Sequence, residues 1–125
     1  MTKKEKEKKV LVIDDEDFIR ELIKDFLELE SVRCVGAENA GQGLKLIGEE
    51  NFDLILLDRN LGKMRAEDFI AQIRCQQKNV PIVILTGDQQ CSSDYLGKIG
   101  ANGIIFKPFQ VNDFMENIKK FLEIE

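Results

Sequence analysis

Apolar positions along this chain follow two alternating rhythms. Five short continuous runs fall at residues 10–13, 32–35, 52–57, 80–85 and 103–106, mostly Val, Leu and Ile. Runs of that length bounded by turn-forming residues read as strands buried on both faces. Between them the spacing changes to that of a helix. Phe18, Ile19, Leu22, Ile23, Phe26 and Leu27 make one apolar face, with Asp15, Glu16 and Asp17 at its start, where the helix dipole favours acids. Ala40, Leu44 and Ile47 predict a second helix, weakened by Gly41 and Gly43. Phe69, Ile70 and Ile73 predict a third, and residues 91–99 a fourth that is poor in apolar side chains. Val111, Phe114, Met115, Ile118, Phe121 and Leu122 predict a long last helix. Pro81 is tolerated at the edge of the fourth strand.

Strands alternating with helices imply βαβ units and a parallel sheet. Right-handed crossovers then place helices on both faces. The expected architecture is a doubly wound five-stranded parallel sheet of order 2-1-3-4-5. Residues 1–9 are a charged tail with nothing to bury, and residues 10–125 form one domain. Gly41 and Gly43 do not continue into G-x-G-x-x-G, which removes a dinucleotide-binding reading.

Charge narrows the function classes. The net charge is −5, yet the first nine residues carry five Lys and two Glu, a net +3, so the remainder carries −8. An acidic body argues against direct nucleic-acid binding. No run of about 18 apolar residues is present, so no membrane insertion is expected, and no secretory signal follows the N-terminal lysines. Cys34, Cys75 and Cys91 are odd in number and widely spaced, which suits reduced packing residues in a cytoplasmic protein. With no histidine in the chain, Ser-His-Asp and Cys-His sites are excluded.

The chemistry gathers at the strand ends. Asp14 and Asp15 follow the first strand, Asp58 the third, Thr86 the fourth and Lys107 the fifth. In an open parallel sheet that rim is where ligands bind, and with the order above the crevice lies between strands one and three. Taken singly, Asp14-Asp15 reads as a helix cap, Thr86 as a turn residue and Lys107 as a solvated cation. Together they form a set. Crowded carboxylates repel unless a cation joins them, and hard, partly solvated oxygens suit Mg²⁺. A carboxylate beside such an ion can act as nucleophile on phosphorus, with Lys and Thr on the phosphoryl oxygens.

The segments Val10-Leu11-Val12-Ile13-Asp14-Asp15-Glu16, Asp58, Pro81-Ile82-Val83-Ile84-Leu85-Thr86-Gly87 and Lys107-Pro108-Phe109 resemble the receiver domain of bacterial two-component response regulators. The likeness covers about residues 10 to 124. It implies a flavodoxin-like (βα)5 fold and a signalling module that catalyses its own phosphorylation and dephosphorylation. Asp58 is then the phosphoacceptor. Asp15, Asp58 and the carbonyl of Asn60 bind Mg²⁺ directly, and Asp14 acts through water. Lys107 pairs with the phosphoryl group, or with Asp58 before phosphorylation, and Thr86 supplies the switching hydroxyl. A cis Lys107–Pro108 peptide is implied as well. The implied partners are a sensor histidine kinase or histidine phosphotransfer protein and a downstream target or effector domain, with a phosphorylation-dependent homodimer as one output.

Departures from the family pattern fall at Ile104, usually aromatic; Gly62, usually proline; Ala66, usually glycine; and Arg65, usually acidic. Asn60 and Asp88 occupy positions that tune phosphoryl lifetime in the family. Two alternatives stand beside this reading. One is a small phosphohydrolase of the haloacid-dehalogenase type, with Asp15 of the D-x-D at Asp15-Glu16-Asp17 as nucleophile; against it stand Ile19 and the lack of room for a cap domain. The other is a receiver-shaped binding module that is never phosphorylated.

Overall fold

Ten elements alternate strictly along the chain: β1 (Lys9–Ile13), α1 (Asp17–Glu28), β2 (Arg33–Ala37), α2 (Ala40–Glu49), β3 (Leu54–Asp58), α3 (Ala66–Gln76), β4 (Ile82–Thr86), α4 (Ser93–Ile99), β5 (Gly103–Phe106) and α5 (Val111–Leu122). They are seen in a computed structural model that describes residues 7–77 and 79–124. Every strand pairing is parallel, in the order β2-β1-β3-β4-β5. The predicted doubly wound sheet is therefore the observed one.

Residue alternation within the strands divides the core into two layers. Leu11, Ile13, Ile55, Leu57, Ile82 and Ile84 face α2, α3 and α4, meeting Ile47, Phe69, Ile70, Ile73 and Ile99. Val10, Val12, Leu54, Leu56, Val83 and Leu85 face α1 and α5, meeting Ile23, Leu27, Phe114, Ile118 and Leu122. Burial on both faces is why the central strands read as continuous apolar runs rather than as an alternating pattern.

Several boundaries move for identifiable reasons. Val32 belongs to the exit of α1, its N–H bonded to the Leu27 carbonyl at 3.0 Å, so β2 starts at Arg33 and runs on to Ala37 opposite Ile13. Phe52 and Asp53 precede β3: the Phe52 N–H donates to Gln77 Oε1, and the Asp53 carboxylate accepts the Lys9 N–H at 2.8 Å. Pro81 stands just before β4, where its missing N–H costs no ladder bond. The Ile82 N–H donates to Asn102 Oδ1. Ser92 caps α4, accepting from the Tyr95 N–H. Phe18, expected on the buried face of α1, is 70% exposed in the first turn of the helix, and the buried positions fall at Ile23 and Leu27 further on. Cys75 is exposed rather than packed.

Gly43 has a packing reason that overrides its helix cost. A Cβ there would lie 2.7 Å from Ile13 Cδ1 and 3.3 Å from Phe69 Cζ, so glycine lets α2 approach the sheet. Gly100 ends α4 at φ 83°, a left-handed cap that glycine adopts without penalty. Most of the predicted charged tail over residues 1–9 lies outside the described residues. Lys9 is the first residue of β1, and its Nζ is 2.7 Å from Glu50 Oε1.

Candidate functional site at the C-terminal rim of the sheet

Among the described residues, the buried polar or charged ones are Asp14, Asp58 and Thr86, exposed by 0%, 6% and 2%. All three stand at the C-terminal rim. Parallel pairing puts them there: Ile13 is opposite Leu57, Asp58 opposite Leu85 and Thr86 opposite Phe106. Asp14, just after β1, and Asp58, the last residue of β3, thus stand on neighbouring strands, and Lys107 enters from beyond β5. Its N–H donates to the Thr86 carbonyl at 2.8 Å. The Lys107–Pro108 peptide is cis, as the resemblance implied.

Lys107 Nζ lies 2.9 Å from Asp14 Oδ2, 3.5 Å from Glu16 Oε1 and 3.7 Å from Asp58 Oδ2. The ammonium reaches Asp58, but its short bond is to Asp14. Burial explains the preference. Asp14 has no solvent contact, and its Oδ1 accepts the Glu16 N–H at 2.9 Å. Asp58 Oδ1 already accepts the Asn60 N–H at 3.1 Å. Burial opposes the Lys107 charge, yet the Asp14 bond and the fields of Asp58, Asp14 and Glu16 outweigh it and hold its pKa above the ordinary lysine value. Burial, with help from the charges of Asp14 and Asp15, raises the Asp58 pKa against the opposing Asn60 N–H and Lys107. The site stores like charge in a partly dry place.

Asp14, Asp15 and Glu16 bring one carboxylate oxygen each to within 4.8 Å of one another. Asp14 is buried, and the other two open to solvent. A set of hard oxygen donors with a wet side fits Mg²⁺, which keeps several of its waters. Glu16 was not among the predicted ligands; the third acid in the Asp14-Asp15-Glu16 run was the available signal. Thr86 Oγ1 accepts the Asp88 N–H at 3.0 Å, which leaves its own hydroxyl proton free to donate.

Arg59 and its contacts also escaped the sequence reading. Its guanidinium bonds Asp88 Oδ2 at 2.6 Å and lies 4.7 Å from the centre of the Tyr95 ring on α4. Nothing in the spacing of residues 59, 88 and 95 signals that contact.

Comparison with known proteins agrees with this geometry. A family model described as "Response regulator receiver domain" matches residues 10–119. The transcriptional regulatory protein SrrA of Staphylococcus aureus is 34% identical over 114 residues, covering 90% of this chain and 47% of that protein. The chain thus spans about half the length of the curated relatives it matches. The chemotaxis protein CheY4 of Vibrio cholerae superposes with a TM-score of 0.85 at 26% identity, over 94% of this chain and 100% of that one. The response regulator protein TrrA of Thermotoga maritima, solved in complex with Mg²⁺-BeF, gives 0.81 at 34% identity, over 92% of this chain and 99% of its own. With a matched family model over nearly its whole length and that family's fold, the chain belongs to the response regulator receiver domains, modules of phosphorylation-dependent signalling.

Proposed function

We propose that Asp58 is the phosphoacceptor of this receiver domain. The observation that carries it is the Asp58 carboxylate itself: 6% exposed, at the tip of β3, with Lys107 Nζ 3.7 Å away. Asp15, the rival nucleophile of a phosphohydrolase reading, is exposed, and the Lys107 ammonium pairs with Asp14, Glu16 and Asp58 instead. In the forward step Asp58 Oδ attacks phosphorus of a phosphohistidine, on a sensor histidine kinase or a histidine phosphotransfer protein. The P–N bond breaks and its electron pair stays on the imidazole nitrogen. In the reverse of signalling, water attacks phosphorus, the P–O bond to Asp58 breaks, and inorganic phosphate leaves with the carboxylate restored.

Each neighbour has a role in that chemistry. Lys107 moves from Asp14 towards a phosphoryl oxygen, forming a charge-assisted bond. The Thr86 hydroxyl donates to a second oxygen. Asp15, Asp58 and the Asn60 carbonyl would hold Mg²⁺ directly and Asp14 would act through water, with the Glu16 carboxylate close to Asp14 and Asp15. Mg²⁺ held there would offset the negative charge of the transferring group. Downstream, a target protein or an effector domain reads the altered surface, and a homodimer of phosphorylated chains is one such output. The compartment that matches these donors is the cytoplasm.

Intact-mass measurement after incubation with acetyl phosphate tests the reading. One phosphoryl adduct is expected with Mg²⁺, and none with EDTA or in Asp58→Ala. An adduct that persists in Asp58→Ala and disappears in Asp15→Ala would overturn it in favour of the phosphohydrolase. No adduct on the wild type would leave a binding module.

A further inference from the structure

Three contacts form an unbroken chain from Thr86, in the phosphoacceptor site, to helix α4. Thr86 Oγ1 accepts the Asp88 N–H at 3.0 Å. Asp88 Oδ2 accepts from Arg59 at 2.6 Å. The Arg59 guanidinium covers the Tyr95 ring at 4.7 Å. Arg59 is anchored at its base, its N–H donating to the Leu85 carbonyl at 3.0 Å, and it directly follows Asp58. One side chain therefore joins the loop after β3, the loop after β4 and the first turn of α4.

Among the described residues, no side-chain hydrogen bond links Thr86 to β5. Ile104, opposite Ile84, is a hydrocarbon packed in the core layer shared with α3 and α4, and it offers Thr86 no hydrogen bond. Helix α4 is also the shortest of the five helices. It has seven residues, and Ile99 is its one fully buried side chain.

We propose that Arg59 is a positioning residue that couples the state of Asp58 to helix α4, holding Asp88 and Tyr95 together while Thr86 Oγ1 accepts the Asp88 N–H. The inference rests on Asp58 being the phosphoacceptor. When the Thr86 hydroxyl turns to a phosphoryl oxygen, the Asp88 N–H loses its acceptor. The new dianion on the residue before Arg59 then competes with Asp88 for the guanidinium. Both events pull the same way, and Tyr95 loses its cation. Half-exposed ion pairs and cation–π contacts are weak enough to be exchanged by such a change in local charge.

The composition of the chain provides its own reporter, because Tyr95 is the single tyrosine and no tryptophan is present. Intrinsic tyrosine emission is read on the full chain with Mg²⁺ and acetyl phosphate, and intact mass is read on the same samples. The wild type is expected to form the adduct and change its emission, and Asp58→Ala to do neither. Arg59→Ala is expected to form the adduct while its emission response is lost. Arg59→Lys, which keeps a cation, is expected to restore part of the response. An Arg59→Ala adduct with a wild-type emission change overturns the proposal, even if its melting temperature falls, since that would be a merely structural role. A wild-type adduct with silent Tyr95 overturns it too. Absence of any wild-type adduct overturns the phosphoacceptor reading and this one with it. Should Arg59→Ala fail to fold, Asp88→Asn decides: the response is expected to be lost there, and its persistence refutes the coupling.

Discussion

Replacing Lys107 with methionine isolates the charge at the centre of the site. Methionine keeps most of the aliphatic stem, so packing changes little, and the ammonium is removed. Asp14 then loses its 2.9 Å partner while remaining without solvent contact. Breaking a buried ion pair from one side costs roughly 3–5 kcal/mol, and losing a hydrogen bond to a charged group roughly 1.5–3. Two features favour the lower figure. Lys107 is 18% exposed, and Asp14 Oδ1 keeps the Glu16 N–H. The expected loss is therefore about 2–3 kcal/mol with EDTA present. With a urea m-value near 2 kcal/mol/M, the unfolding midpoint falls by about 1–1.5 M. Added Mg²⁺ should return more stability to the variant than to the wild type, because no ammonium then competes for the Asp14 carboxylate. Urea unfolding of both proteins, in EDTA and in Mg²⁺, measures all four midpoints. A variant within about 0.5 kcal/mol of the wild type in EDTA, or one that Mg²⁺ stabilises less than the wild type, refutes the reasoning.

The remaining expectations follow from packing and exposure. Gly43→Leu forces a side chain into the space held by Ile13 and Phe69 and should destabilise by about 3 kcal/mol, whereas Gly41→Ala, on the exposed face of α2, should stabilise by about 0.5–1 kcal/mol; thermal unfolding separates them. A Gly43→Leu protein as stable as the wild type would show that α2 does not need the close approach. Burial pushes the Cys34 thiol up to about 12, so its thiolate is scarce at pH 8, while Cys75 is exposed. Iodoacetamide followed by peptide mass mapping should therefore label Cys75 first and Cys34 last, and the reverse order would contradict the structure.

Much of the molecule was legible one residue at a time. The strand runs could be read because strands buried on both faces must be apolar at every position. The rim residues could be read because each directly follows such a run. What a one-dimensional pattern cannot carry is the length of a contact between residues far apart in the chain. Lys107 reaching Asp14 more closely than Asp58 depends on the register of four strands and on which carboxylate is drier. The helix cost of Gly43 was legible, but its reason was not, since Ile13 and Phe69 come from two other elements. Phe18 fits the apolar periodicity of α1, yet periodicity does not say which turns of a helix are covered.

By itself, then, the amino-acid order determined the alternation of elements, the parallel doubly wound sheet and the set Asp14, Asp15, Asp58, Thr86 and Lys107. Those follow from local burial, chain connectivity and the residue types at strand ends, and they need no distances. Tertiary structure alone decided the pairing inside that set, the place of Glu16 beside it, and the Arg59–Asp88–Tyr95 contact across two loops and a helix. Electrostatic and packing energies depend on separation and on access to water. Both quantities exist only once the strands are in register and the helices are laid on the sheet.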